Sequence, residues 1–549
     1  MEFKSRRTPV YGTRGMVATS QPLASEAGLR TLQLGGTAAD ACVAAAAALN
    51  VAEPCSTGIG GDAFALFYNG TTKDVECLQG CGRSPAAMTL ESVRNHPQMQ
   101  GRTELPPLSG LCVTVPGAAS AWEAAVSRWG NLPLSTVLEP AIELAEQGFP
   151  VSPGIARAWK ESEKVLQSGT CDTFLPGGGA PFVGDIFKNP DLGQTFRSLG
   201  EHGAHRGFYT GRIADAIVQA ASQRGGFLDK DDLAAHVTAC VDPISTTYNG
   251  FRLWECPPPT QGVTALMALN LLECENQDPP LSKASLHAQS EALRLAFADA
   301  LQFCGDPSDP GSPDSSELLS KSRAAARWQH FKKDGRAASV VPDGVVFETK
   351  AGSDTVYLCA ADRWGNACSF INSNYMGFGT GIVPNGCGFT LQNRGHNFIL
   401  RPGHPNCVGP GKFCYHTIIP GLATHASGEL FGVLGVMGGF MQPQGHLQVF
   451  CAMVDHGLDP QAALDQLRFS LGGIDSCLGP ECVEHATLLL EEGIPEEVID
   501  GLRALGHHCE IVKGWQRNLF GRGQIICRLP SGVLVGGTEP RADGSVLAW

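Results

Sequence analysis

Small apolar residues run almost unbroken through ADACVAAAAALNV, residues 39–51. A segment apolar on nearly every side predicts a helix buried all round. The run before it, SEAGLRTLQLGG, is helical in pattern and closes on Gly35–Gly36, a plausible C-cap. Residues 23–52 therefore read as helical. PCSTGIGGDAFALFYNG follows: a turn rich in glycine (Gly58, Gly60, Gly61), then an apolar strand ending at Asn69–Gly70. GIGG leads into a strand rather than a helix, which favours a structural turn over a phosphate cradle. Two further helical patterns span residues 117–147, broken by NLP at 131–133. SLHAQSEALRLAFADALQFC, residues 285–304, puts Leu286, Leu293, Phe297, Ala300 and Cys304 on one stripe, as an amphipathic helix would. His287 and Glu291 share its other face and read as a solvated or locally bonded pair.

A turn-rich break, GDPSDPGSPDSSE, follows at 305–317. One moderate helix is expected near 317–332, and then a poorly patterned arm to Ser353 where a chain break would be accessible. Beyond it, strand patterns (428–437, 523–529, 532–537) alternate with helical ones (448–457, 460–469, 495–506). Blocks of this kind predict two sheets packed on each other with helices outside, an α+β fold.

Residues 352–381, GSDTVYLCAADRWGNACSFINSNYMGFGTG, carry the most specific pattern. TVYLCAAD and ACSFIN are short, apolar and rich in strand formers, and RWG lies between them. A three-residue loop with Gly365 left-handed closes a hairpin. Pairing outward from Asp362 opposite Asn366 sets Thr355 opposite Ser373, two hydroxyls within cross-strand reach. If the chain is cut between Asp354 and Thr355, Thr355 carries a free amine beside its hydroxyl. It is then nucleophile and general base in one residue. That amine titrates near pH 8, so much of it is a usable base at neutral pH. The cut itself can be made by the Thr355 hydroxyl attacking its own upstream peptide bond, giving an ester that water resolves. An oxyanion needs N–H donors. Gly438 and Gly439, after an apolar strand in VMGGFMQPQGH, can bring two close, although glycines there also suit a plain strand-to-helix turn.

Composition narrows the setting. The chain has 549 residues, 43% hydrophobic and 17% charged, as an ordinary globular protein with more than one structural unit has. A net charge of −14 gives no electrostatic reason to expect nucleic acid. The N-terminus has no apolar run behind its positive charge and no stretch approaches a bilayer span, so a cytoplasmic, soluble protein is expected. The twenty cysteines are scattered through apolar runs and read as reduced core residues. The close pairs, Cys77 with Cys81 and Cys477 with Cys482, lack a second pair at zinc spacing. No metal and no cofactor are expected.

Several segments together resemble the γ-glutamyltranspeptidase (glutathione hydrolase) family: GSDTVYL, SNYMGFGTGIV, LQNRGHNF (391–398), HTIIPG (416–421) and GVMGGFMQPQGH. GIGGDAF, GRSPAAMT, TVPGAASAW, EPAIELAEQGFPVS, FYTGRIA and LRLAFADALQFCGDP resemble it in the same order, over nearly the whole chain. The closest likeness is to a cytosolic branch without a membrane anchor. The resemblance implies a four-layer αββα sandwich of the N-terminal-nucleophile hydrolase type. It implies a proenzyme that cuts itself before Thr355 into a large subunit, 1–354, and a small one, 355–549, which stay together as a heterodimer. It implies Thr355 as the acyl-enzyme residue, Ser373 orienting it, and Gly438 and Gly439 holding the oxyanion. The substrate would be a small γ-glutamyl amide such as glutathione.

The sequence departs from the family where the substrate is read. Val356 stands where a second threonine is usual. The arginine that pairs with the substrate α-carboxylate aligns with Cys81, although Arg83 is two residues on. The aspartate that meets the α-amine aligns with Asn397, an asparagine becomes Tyr375, and a paired serine motif becomes His416–Thr417. Arg83 or Arg394 could still hold a carboxylate bidentately. The departures suggest an acyl group with a free carboxylate and less need of an α-amine, such as a glutaryl or oxamate-type monoamide. An uncleaved homologue that only binds is the remaining alternative.

Overall fold

The computed structural model describes residues 7–168, 173–275, 278–337, 354–473, 483 and 486–549. Two seven-stranded antiparallel sheets form its centre. In one, the strands run in the order Ser545–Ala548, Met16–Thr19, Asp354–Ala361, Ala367–Tyr375, Asp62–Tyr68, Val75–Gly80 and Ala239–Val241. In the other, the order is Val10–Gly12, Leu534–Thr538, Arg522–Arg528, Leu430–Met437, Gly421–His425, Phe251–Glu255 and Ile244–Tyr248. The inner faces meet through Phe64, Leu66, Tyr357, Ile371, Leu422, Val433 and Ile526. Helices cover both outer faces, completing the αββα sandwich: α+β, as the alternation of patterns predicts.

The helix Ala38–Ala52 is buried at every position. Thr37 caps it, accepting from Asp40 N while the Asp40 carboxylate accepts from Thr37 N at 2.8 Å. Its alanines let it lie close against the hairpin strands Asp354–Ala361 and Ala367–Tyr375. Enlarging one of them would cost about 1–3 kcal/mol of overpacking. The small-residue run thus gives the hairpin a rigid backing. The broken pattern at 117–147 resolves into helices Ala118–Trp129 and Leu134–Gln147. The helix expected near 317–332 is two short ones, Ser315–Leu318 and Lys321–Trp328. The arm expected at 333–353 and the pair Cys477–Cys482 lie wholly or mainly outside the described residues.

Helix Lys283–Phe303 departs from its simple amphipathic reading. His287 and Glu291 are buried, not solvated, because residues 332–337 and His507 cover their face. Glu291 accepts from Arg294 at 2.6 Å and from Ala337 N at 2.9 Å. His287 meets His507 at 2.7 Å and the Lys332 carbonyl at 2.7 Å. These three side chains cluster closely enough for a metal, but both Glu291 oxygens and both His287 nitrogens already have protein partners. Cys77 meets Cys256 of the opposite sheet rather than Cys81, with sulfurs 3.0 Å apart.

Candidate active site

The hairpin turns at Gly365, whose φ is +84°, and Asp362 N donates to Asn366 O at 3.0 Å. Register holds from Ala361↔Ala367 to Val356↔Asn372 and shifts at Thr355, after which Asp354 pairs with Tyr375. An irregularity of this kind re-aims a side chain at the end of a ladder. It leaves Thr355 Oγ1 3.0 Å from Ser373 Oγ, the pairing that the hairpin register predicts. Thr355 Oγ1 also donates to the Asp354 carbonyl oxygen at 2.7 Å. Ser373 Oγ lies 2.9 Å from that same oxygen and accepts from Tyr375 N at 2.8 Å. Both hydroxyls are buried.

Arg522 grips the upstream side of the Asp354–Thr355 bond. Its Nη2 donates to Asp354 Oδ1 at 2.9 Å, to Thr355 O at 3.1 Å and to Ser56 Oγ at 3.1 Å. Its Nη1 meets the buried Glu53 carboxylate, whose other oxygen accepts from Ser20 Oγ at 2.6 Å. Burial alone would lower the guanidinium pKa, and Glu53 and Asp354 more than reverse this. Arg522 also pairs in register with Met437, the last residue before Gly438–Gly439. The glycine turn is therefore next to the residue that holds Thr355. Gly438 has φ +136° and Gly439 φ +58°, and no hydrogen bond among the described residues takes up either N–H. Gln261 Nε2 fixes the turn by donating to Gly439 O at 2.8 Å and to Thr417 O at 2.6 Å.

A second buried cluster lies beyond Tyr375. The Tyr375 backbone is left-handed at φ +80°, and its ring packs under the Arg394 guanidinium at 4.5 Å. Arg394 Nη1 donates to Thr417 Oγ1 at 2.9 Å. Burial lowers the Arg394 pKa, and the charge of Asp62 opposes the shift. His416 Nε2 donates to Asp62 Oδ2 at 2.9 Å. Burial, and then Arg394, push His416 down to about 4, so at neutral pH it is an uncharged donor. Asn397 Nδ2 donates to Tyr415 O at 3.3 Å, while its Oδ1 is buried with no partner among the described residues.

Tyr375, Arg394, Asn397, His416 and Thr417, singled out together in the sequence, thus lie in one buried cluster. Arg83 stands apart. Its side chain is 50% exposed, paired with Asp306 at 3.5 Å, bonded to Gly411 O at 2.8 Å and stacked on Phe413. Asp62, Gln261, Gln392, Glu53 and Arg522 were not expected. Asp62 had a visible signal, as a charge opening an otherwise apolar strand; Arg522 opens a strand that also carries Gln524 and Arg528.

A model of the family described as Gamma-glutamyltranspeptidase matches residues 24–549. The "Glutathione hydrolase-like YwrD proenzyme" of Bacillus subtilis is 34% identical over 98% of this chain and 99% of its own length. The "Oxamate amidohydrolase proenzyme" of Klebsiella pneumoniae is 32% identical over 98% of this chain and 99% of its own. Among solved structures, a cephalosporin acylase from Bacillus halodurans superposes with a TM-score of 0.90 at 43% identity, covering 100% of this chain and 98% of that one.

Proposed function

Since the chain belongs to the γ-glutamyltranspeptidase family, we propose that it is a self-cleaving threonine amidohydrolase working through an acyl-enzyme. The observation that carries this reading is the contact of the Thr355 hydroxyl with both Ser373 and the Asp354 carbonyl oxygen. In the precursor, Thr355 Oγ1 attacks the Asp354 carbonyl carbon. The C–N bond breaks, and the acyl group moves to oxygen. Water then hydrolyses the ester, leaving an Asp354 carboxylate and a free Thr355 amine. The resulting chains are 1–354 and 355–549, which remain together because each sheet is built from strands of both.

In the processed enzyme, Thr355 Oγ1 attacks the carbonyl carbon of a substrate amide, and its proton passes to the Thr355 amine. The Gly438 and Gly439 N–H groups hold the oxyanion. The amine returns the proton to the leaving nitrogen, and water releases the acid; an amino acid or peptide amine in place of water gives transfer. The substrates are small amides with a carboxylate on the acyl group. γ-Glutamyl compounds such as glutathione are one class. Monoamides of dicarboxylic acids are the other, favoured by the Arg394 cluster and the absence of an aspartate at 397. The free, mostly buried thiols among the described residues favour a cytoplasmic setting; no helix among those residues is long and apolar enough to cross a membrane.

Mass spectrometry of the purified protein, beside Thr355→Ala, tests this. Two chains, one ending at Asp354 and one beginning at Thr355, are expected for the natural sequence and one chain for the variant. Amide turnover by an intact single chain, or by Thr355→Ala, overturns it.

A further inference from the structure

Arg394 is 1% exposed, yet two of its three nitrogens, Nε and Nη2, are buried with no acceptor among the described residues. Only Nη1 is used, by Thr417. Leaving buried N–H groups unmade is costly. The two idle groups are also special in position. On a planar guanidinium, Nε–H and the neighbouring Nη2–H point the same way and present a parallel pair of donors that matches the two oxygens of a carboxylate. Thr417 at one end and the Tyr375 ring against its face fix the plane, so this edge is set in place before any ligand arrives.

The surroundings offer nothing comparable to an ammonium. Asp62 is the carboxylate of the cluster, and its oxygens are spoken for. Oδ1 accepts from Gly82 N at 3.2 Å, Gly117 N at 3.1 Å and Gln392 Nε2 at 3.0 Å, and Oδ2 accepts from His416 at 2.9 Å. It acts as the fixed counter-charge of Arg394. The idle acceptors nearest in sequence, Gln392 Oε1 and Asn397 Oδ1, are neutral. An ammonium placed here would meet the positive charge of Arg394 without an anion of its own.

Tyr375 connects this cluster to the reaction centre. Its N–H is bonded to Ser373 Oγ, and its ring carries Arg394. A substrate whose carbonyl sits at Thr355 therefore has its far end on the Arg394 side of Tyr375. We infer that the Nε–Nη2 edge of Arg394 is the seat of a distal carboxylate. The preferred substrates are then monoamides of unsubstituted dicarboxylic acids rather than α-amino acyl amides. This rests on Thr355 being the acylated residue. Arg394 is the specificity-determining group, and Asp62 and Thr417 are positioning residues for it.

The test measures kcat/KM of the processed enzyme on p-nitroanilides. Succinyl, glutaryl and adipyl compounds are compared with γ-glutamyl and with the neutral butyryl compound. The best dicarboxylic anilide should exceed the butyryl one by roughly 100-fold or more, since a site built for a polar group rejects the analogue lacking it. The γ-glutamyl compound should be no better than the glutaryl one. Arg394→Gln should abolish most of the dicarboxylic advantage, lowering the glutaryl kcat/KM far more than the butyryl one. Arg394→Lys should recover only part, because a lysine offers a point charge and no fork.

Competition on the natural protein gives the same answer without a variant: glutarate should inhibit far better than butyrate and at least as well as L-glutamate. The inference is overturned by any of three results. These are equal turnover of neutral and dicarboxylic anilides, a γ-glutamyl preference above about tenfold, or an equal loss on both classes in a normally processed Arg394→Gln. Failure of the Thr355 reading looks different, because it appears as an uncut yet active chain before any acyl group is compared.

Discussion

Ser373 sets its Oγ 2.9 Å from the carbonyl oxygen of Asp354. In the proposed self-cleavage that oxygen becomes the oxyanion as Thr355 attacks the carbon it is bonded to, and the same Ser373 oxygen is 3.0 Å from the Thr355 hydroxyl. One side chain thus touches both the nucleophile and the charge it creates. Ser373→Ala removes a pre-placed donor, and self-cleavage should slow by about 10²–10³-fold. Thr355→Ala should not cleave at all. Thr355→Ser keeps the hydroxyl and should cleave. A time course of freshly translated protein on denaturing gels measures all three; unchanged cleavage in Ser373→Ala would remove Ser373 from the reaction.

Arg522 joins stability to processing. It holds Asp354 and Thr355 on one side and the buried Glu53 on the other. Removing it strands a buried carboxylate, and Arg522→Met should cost about 3–5 kcal/mol. Glu53→Gln relieves that penalty. The double variant Arg522→Met/Glu53→Gln should therefore regain most of the stability, while its cleavage stays slow because nothing orients Asp354. Urea unfolding and cleavage rates on the four members of the cycle separate the two roles. Recovery of both together would make Arg522 merely structural.

The hairpin, the helix Ala38–Ala52 and the two-sheet sandwich were legible because each depends on local pattern: apolar runs rich in strand formers, a run of small apolar residues, and Gly365 between two apolar runs. The Thr355–Ser373 contact followed from register alone. What escaped depends on distant pieces meeting. Asp62 closes on His416 across 354 positions, and Arg522 reaches Glu53 across 469. Periodicity says nothing about such pairs. Arg83 and Arg394 looked alike in sequence; folding placed one on Phe413 at the surface and sealed the other under Thr417. His287 and Glu291 misled for a related reason: a polar stripe on a helix can face more protein instead of water.

Gly61 is the point where the glycine-rich turn meets the reaction centre. A Cβ there would lie 2.1 Å from the Ser373 carbonyl oxygen, a backbone atom that cannot swing aside. Gly61→Ala should therefore push the strand Ala367–Tyr375 away from its neighbour. A stability loss of roughly 1–3 kcal/mol is expected. Cleavage should slow by about tenfold or more, because a small misplacement of reacting groups is enough to do so. Gly35→Ala is the control. Its φ of +97° carries a backbone penalty of about 1–2 kcal/mol instead of a clash, and nothing lies within 4 Å of the added carbon, so cleavage should be unaffected. Equal cleavage in the two variants would dissociate the GIGG turn from the site.

Three buried histidines and the half-buried His236 set the acid limit of the fold. Burial is the leading cause in each: His236, His404 and His416 are pushed down to about 4, and His507 to about 3. In the unfolded chain each titrates near 6.5. Between these values the unfolded state binds protons that the folded state refuses, so stability rises with pH. It is fully present above about 6.5 and is lost as pH falls toward the folded values, at about 1.4 kcal/mol per pH unit for each histidine. His507 offers a clean test. It meets His287 at 2.7 Å, and a glutamine there can still donate to that ring without titrating. Uncleaved Thr355→Ala protein suits equilibrium urea unfolding at pH 7.5, 6, 5 and 4.5. Adding His507→Gln should flatten the pH dependence by about 1.4 kcal/mol per unit below pH 6.5. A slope identical with and without His507 would mean that this ring takes its proton while still folded, and that the His287–His507 contact tolerates the charge.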